Sequence, residues 1–208
     1  INRVLRQEGW LRVLENMTGE LIDFGQSKAF AVADHQVAHV YINDPSISDA
    51  VEAKLKSTPG IDQVYNSDRK APAGLSHPNA GDLVCMSAPK SWFTYYYWLD
   101  DDRAPDFART VDIHRKPGYD PCELFLDPSL PLAKMKIGWT LLKKKLGFRY
   151  ALDVIPLDAT LVKGSHGRKP SSPLTAPVFI SSQKESAVEG LMPMTAVKDE
   201  LLRMMFEA

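Results

Sequence analysis

Residues 29–42 read AFAVADHQVAHVYI, and the way this run folds decides the class of the protein. Small and β-branched apolar residues dominate it. From Val37 onward they alternate, so that on a strand Val37, His39 and Tyr41 share one face and Ala38, Val40 and Ile42 the other. The polar pair Asp34-His35 interrupts the run, and a hairpin turning at that point is expected. The β-branched alternation argues against a helix.

Outward from this run, residues 43–60, NDPSISDAVEAKLKSTPG, carry the marks of a helix. Asp44 suits the cap, Pro45 the first position, and Ile47, Val51 and Leu55 form one stripe. Pro59-Gly60 ends it. IDQVYN (61–66), DLVCMSA (82–88) and SWFTYYYWL (91–99) then read as strands, and the polar loop 69–82 is rich in turn residues. Strand, helix and three further strands in so short a stretch predict a small α+β layer. Upstream, Ile1, Val4 and Leu5 stand at helical spacing and Gly9 is a stop signal. That helix starts at the first residue, and Ile1 is not a methionine, so the sequence reads as the later part of a longer protein.

Downstream, residues 100–121 form a charged connector with three prolines. In PLAKMKIGWTLLKKKLGF (131–148), Leu132, Met135, Trp139, Leu142 and Leu146 share a helical face, with the lysines mostly off it. YALDVIPLDATLV (150–162) reads as extended, although Pro156 favours an edge or a bend. APVFISS (176–182) reads as a buried strand. MTAVKDELLRMMFEA (194–208) reads as a closing helix capped by Thr195, with Val197, Leu201, Leu202 and Met205 on one side.

The chain has 208 residues, 44% of them hydrophobic, and a net charge of −1. That is enough for one sizeable domain or two small ones, and it gives no global electrostatic case for binding a nucleic-acid duplex. No apolar run reaches the ~20 residues of a membrane span. Cys85 and Cys122 fit no zinc spacing or disulfide framework, which favours a reducing compartment such as the cytoplasm.

Three stretches hold residues with possible chemistry. In KGSHGR (163–168), His166 stands between glycines that let a backbone approach a ligand, with Lys163 and Arg168 as nearby cations. Spacing alone leaves it a metal ligand, a base or a solvated turn residue. In VDIHRKPGYDP (111–121), Asp112 and His114 fall on one face if the backbone is extended, so two ligands are available; a charged loop with a local Asp–Arg pair is the plainer reading. In ADHQVAH (33–39), His35 and His39 would share a strand face about 13 Å apart, too far for one metal, which favours structural roles. The aromatic run 92–98 reads as strand rings facing a core, and LKKKLGF (142–148) as a solvated helix face.

Taken in order, these segments resemble the type I phosphodiesterase/nucleotide pyrophosphatase family of the alkaline phosphatase superfamily. GSHGR looks like the family's late Gly-x-His-Gly motif, and APVFIS followed by MTAVKDELLRMM like its final core strand and helix. INRVLRQEGWL is similar to the elements that follow its Asp-His metal motif, and residues 104–120 look like the return from a cap-like insertion. The implied fold is an α/β, partial alkaline-phosphatase-like core with a small α+β cap-like insertion. Its parts would be a core entry at 1–28, the cap-like region at 29–105, and a return to the core at 106–208 with a late metal-site loop and terminal helix.

The resemblance implies a metal-dependent phosphohydrolase acting on a small phosphate ester. In that family two divalent metals, normally zinc, activate a threonine or serine nucleophile. His166 matches a zinc ligand, and Asp112 and His114 lie where the chain returns to the site. The family's remaining metal ligands, its Asp-His pair among them, and its nucleophile are expected ahead of Ile1. The 208-residue chain alone is therefore expected to be inactive and to need that N-terminal half. A non-catalytic binding or scaffold module that kept the fold is the alternative.

Overall fold

The run at 29–42 folds as a two-residue hairpin. β3 (Ala29–Asp34) pairs antiparallel with β4 (Val37–Ile42), from Ala29 opposite Ile42 to Asp34 opposite Val37, with His35-Gln36 as the turn. His35 takes φ +54°, a left-handed conformation uncommon outside glycine and met most readily in tight turns. The computed structural model describes residues 1–182 and 190–206. They belong to two compact units, residues 1–168 and 169–208.

In the first unit, helix α1 (Asn2–Gln7) leads into a small hairpin of β1 (Val13–Asn16) and β2 (Gly19–Ile22). The main sheet has the order β3-β4-β6-β5, antiparallel throughout, with β5 at Ile61–Tyr65 and β6 at Leu83–Ser87. Helix α2 (Ser48–Ser57) follows a 3-10 turn at Pro45–Ile47, whose Ser46 N–H donates to the Asp44 carboxylate at 3.1 Å. Val51 and Leu55 are buried as expected. A short helix, α3 (Ser67–Lys70), opens the long loop before β6. The described residues thus form a mixed α and β structure with two small antiparallel sheets.

The free edge of β3 is closed by other means than a strand. The Asn2 side-chain amide donates to the Ala31 carbonyl and its carbonyl accepts from the Ala31 N–H, both at 2.8 Å. One residue of α1 thereby substitutes for a ladder partner and protects the edge. Further along, Gly118 bridges to Ala33, and the Tyr119 N–H donates to the Ala33 carbonyl at 2.9 Å.

The stretch 91–99 departs from expectation. It forms no strand, and Tyr95, Tyr96, Tyr97 and Trp98 are all buried instead of alternating. The reason lies in its hydrogen bonds. Arg3 Nε donates to the Trp98 carbonyl at 2.6 Å, and Arg6 donates to that of Tyr97 at 3.2 Å. Side chains of α1 occupy acceptors that a ladder would need, so the run crosses the core as irregular extended chain. Glu20 on β2 closes this cluster: it pairs with Arg6 and with Arg103 at 3.0 Å, while the Tyr97 hydroxyl donates to its backbone carbonyl at 2.9 Å.

One core joins Leu5 and Leu11 with Ala31, Val40 and Leu83 of the sheet and with Phe107 and Leu157 beyond it. It therefore runs across the boundaries expected at 28/29 and 105/106. Residues 150–162 form no continuous strand: Asp153 bridges to Thr110, with flanking backbone bonds between Leu152 and Val111 and between Ile155 and Arg109, and a 3-10 turn follows at Ala159–Leu161. Helix α4 (Ala133–Lys145) forms where periodicity places it, but its apolar stripe is exposed: Leu132, Met135, Trp139, Leu142 and Leu146 all face solvent.

In the second unit, residues 176–182 form no strand. Val178 and Ile180 are exposed, and no ladder partner is formed for them among the described residues. Helix α5 (Val197–Phe206) is present, preceded by a 3-10 turn at Met194–Ala196, so Thr195 lies inside that turn and is not the cap. Glu207 and Ala208, the end of the expected helix, lie outside the described residues.

Candidate functional site

The hairpin turn at His35-Gln36 meets the loop 164–168, more than a hundred residues later. The imidazoles of His35 and His166 lie 3.8 Å apart, centroid to centroid, at an angle of 38°. The backbone fixes this meeting, since the Gln36 N–H donates to the His166 carbonyl at 2.9 Å. Ser165 Oγ lies 3.0 Å from His35 Nδ1, which orients that ring. Arg168 anchors the end of the loop through a 2.7 Å bond to the Ser87 carbonyl and a 3.2 Å ion pair with Asp62. Gly167, at φ +114°, packs where a Cβ would stand 3.2 Å from Val37, so glycine is needed for the loop to lie this close to β4.

A third segment closes the site. Tyr119 also stacks on His35, with ring centroids 4.6 Å apart. Its position follows from Gly118, where φ is +141° and a Cβ would stand 2.6 Å from the Ala33 carbonyl oxygen. Behind it, the fully buried Lys116 ammonium pairs with Asp120 at 2.9 Å and contacts the Glu123 carboxylate at 2.6 Å without hydrogen-bond geometry. Buried ions of this kind hold a loop in one conformation so long as every partner is present. Beside the two imidazoles opens a cleft of about 520 Å³, walled by Tyr119, Pro121, Leu124, Phe125, Leu161 and Val162.

The electrostatics follow from burial. His35 is largely buried, and desolvation together with the nearby His166 pushes its pKa below the ordinary value of 6.5, while the Asp34 carboxylate pulls the other way. His35 is thus neutral around pH 7, the form in which imidazole binds a metal. Asp34 Oδ1 lies 4.0 Å from His35 Nε2. Two imidazoles and a carboxylate suit zinc or a similar divalent ion. Among the described residues, however, no three His, Cys, Asp or Glu groups are arranged to hold a metal ion.

Of the three residues expected to be ligands, His166 stands in this site. Asp112 and His114 do not line it: Asp112 faces Arg115 at 3.9 Å, and His114 is exposed on the 3-10 turn Ile113–Arg115. The stretch 111–121 is a chain of turns, so the extended geometry that would have aligned the pair is absent. His35, expected to be structural, is the residue that sequence reasoning missed. The signal was available: a titratable pair, Asp34-His35, at the tip of a hairpin whose strands are mostly apolar. His39, by contrast, keeps the structural role foreseen for it, as its Nδ1 accepts from the Gly81 N–H at 3.1 Å.

A family model described as type I phosphodiesterase / nucleotide pyrophosphatase matches residues 1–120, more than half of the chain, and the protein belongs to that family. The match includes Asp34, His35 and Tyr119 and stops short of His166. No curated protein and no solved structure matches the chain. No helix among the described residues is long and apolar enough to cross a membrane.

Proposed function

We propose, from membership of that family, that this chain carries one part of a metal-dependent phosphohydrolase site, with Asp34, His35 and His166 as ligands to divalent metal. The observation that supports it best is the contact of His35 with His166, which joins the family-matched region to the late Gly-Ser-His-Gly loop. On this reading the Asp-His pair expected ahead of Ile1 is Asp34-His35, inside the chain. Zinc is the favoured ion, and bound metal would polarise a phosphoryl oxygen and lower the pKa of a nucleophile. The protein's own groups have narrower tasks. Ser165 holds the His35 ring in position, Tyr119 shields its face, and the Lys116 cluster keeps Tyr119 in place. The apolar cleft beside the imidazoles would receive the organic part of a small phosphate ester. Ligands completing the shell, and the nucleophile, would come from outside the described residues, as from an N-terminal half.

Zinc titration of the 208-residue chain tests this directly. Wild type is expected to bind zinc, and His35→Ala and His166→Ala each to weaken binding by about tenfold or more. The intact protein is expected to hydrolyse bis-nitrophenyl phosphate and to lose that activity on exhaustive chelation. Full activity after chelation would refute metal dependence. Zinc binding unaffected by either substitution would refute the ligand assignment. Absence of both binding and hydrolysis would favour the second reading, a non-catalytic module that kept the fold.

A further inference from the structure

The segment around α4 is unlike the rest of the molecule in charge and exposure. Between Pro128 and Leu152 there are six cations (Lys134, Lys136, Lys143, Lys144, Lys145 and Arg149) and no Asp or Glu, although the whole chain has a net charge of −1. The helix sits on the first unit through Thr140, which is buried, and through Lys136, whose ammonium bonds the Asp153 carboxylate at 2.6 Å and its backbone carbonyl at 2.9 Å. Met135, Leu142 and Leu146 lie off that side, 67%, 44% and 62% exposed, and Trp139, 59% exposed, stands at the border between the two, where it lines a cleft with Thr140 and Tyr150. At Gly138, within this outward ridge, a Cβ would meet nothing within 4 Å.

We infer that this face docks onto an anionic membrane surface, with α4 lying in the plane of the interface. An apolar ridge with a Trp, flanked by lysines and free of acids, is the pattern of a helix that buries one side among headgroups and acyl chains. The lysines are placed for it. The Lys143 ammonium lies over the Trp139 ring at 5.8 Å and that of Lys144 over the Tyr150 ring at 5.3 Å, so cations and aromatic surface border one another directly. Charge complementarity selects the occupant. A second copy docked through the same face would set lysines against lysines, with no acid from this segment between them. A nucleic-acid strand would satisfy the cations but would leave Met135, Leu142 and Leu146 without a partner. An anionic bilayer satisfies both. The inference concerns attachment to a surface, and it is independent of the metal-site reading.

Flotation of the full chain with phosphatidylcholine vesicles, with and without phosphatidylserine, is the test. Wild type is expected to float only with the anionic vesicles and to be released by salt. At roughly fivefold per lysine, the triple change Lys143→Gln, Lys144→Gln, Lys145→Gln is expected to weaken partitioning about 100-fold. The double change Leu142→Ala, Trp139→Ala is expected to abolish it, with circular dichroism confirming an unchanged fold. Trp139 emission should shift to the blue on binding, read by subtracting a Trp139→Phe variant. No flotation, or equal flotation with neutral vesicles, would overturn the inference. So would dimerisation lost in the Leu142 variant, or oligonucleotide binding, if either occurred without vesicle binding.

Discussion

Two regions of the first unit are rich in apolar and aromatic residues, and they meet opposite fates. Residues 91–99 place Tyr95, Tyr96, Tyr97 and Trp98 in the core, whereas α4 turns Met135, Trp139, Leu142 and Leu146 outward. Hydrophobic pattern alone does not separate them, since both contain a Trp among aliphatic or aromatic neighbours. What differs is the polar company. The buried run has the side chains of α1 to take backbone carbonyls, and Glu20 and Asp101 nearby for the Tyr97 hydroxyl and the Trp98 indole, which leaves the Tyr95 hydroxyl as its one buried ring atom without a partner among the described residues. The helix satisfies its own backbone and carries lysines that have almost no acids to meet. Burial is therefore decided by what can satisfy the polar groups that enter along with the apolar ones.

The sharpest way to break this comparison is to make the same truncation in both regions. Trp98→Ala removes a fully buried indole whose Nε1 donates to Asp101 at 2.9 Å, and it is expected to cost about 3–5 kcal/mol in urea unfolding. Trp139→Ala is expected to stay within about 0.5 kcal/mol. Equal effects would mean that α4 is packed in solution and its outward face covered. A charge comparison comes next. Lys116→Met strands Asp120 and Glu123 inside the protein and is expected to cost about 3 kcal/mol or more, while Lys144→Met on α4 should be nearly neutral.

Gly118→Ala sharpens the link between fold and site. The new Cβ would press on the Ala33 carbonyl oxygen at a φ where side chains are strained, with an expected cost of about 1–3 kcal/mol. Because Tyr119 follows directly, the change should also displace the ring stacked on His35. Zinc affinity is then expected to fall together with stability, whereas Gly138→Ala inside α4, where the space is open, should raise stability by about 0.5–1 kcal/mol and leave zinc affinity unchanged.

Much of this was legible in the sequence, for reasons that can be named. α1, the β3–β4 hairpin, α2, β5 and β6 each have local period, cap or stop residues that agree with their tertiary partners. Residues 91–99 were misread as a strand because their partners are the side chains of Asn2, Arg3 and Arg6, and no local pattern reveals a side chain bonding a carbonyl ninety residues away. Residues 176–182 have the composition of a buried strand, yet composition supplies no neighbour. At the site, His166 was singled out by its glycines. His35 was passed over because strand spacing was applied to a residue that sits in the turn, where its ring escapes the alternation of both strands.

The smallest effect separates the two histidines of that hairpin by pH. Burial lowers the pKa of both, assisted by His166 at His35 and by Lys70 at His39. The sign follows from linkage. In the unfolded chain each binds a proton near its ordinary value of 6.5, while in the folded chain each resists until a lower pH. The unfolded state therefore holds more protons between those limits, and stability falls as pH drops through that window. Glu20 adds a second decline at lower pH. The hydrogen bond from Arg6 holds its carboxyl below the ordinary 4.5, so its contribution is complete above that value and is lost as pH falls beneath it. Thermal melts from pH 8 downward should show a shallow first limb and a steeper second. His39→Gln can keep an acceptor for the Gly81 N–H, so it should flatten part of the first limb at little cost at neutral pH. His35→Gln should flatten the rest and, unlike its neighbour, reduce zinc binding. If His39→Gln alone removed the first limb, the His35 environment would be too wet for its imidazole to be held neutral, and the contact with His166 would have to be looser than a 3.8 Å stack.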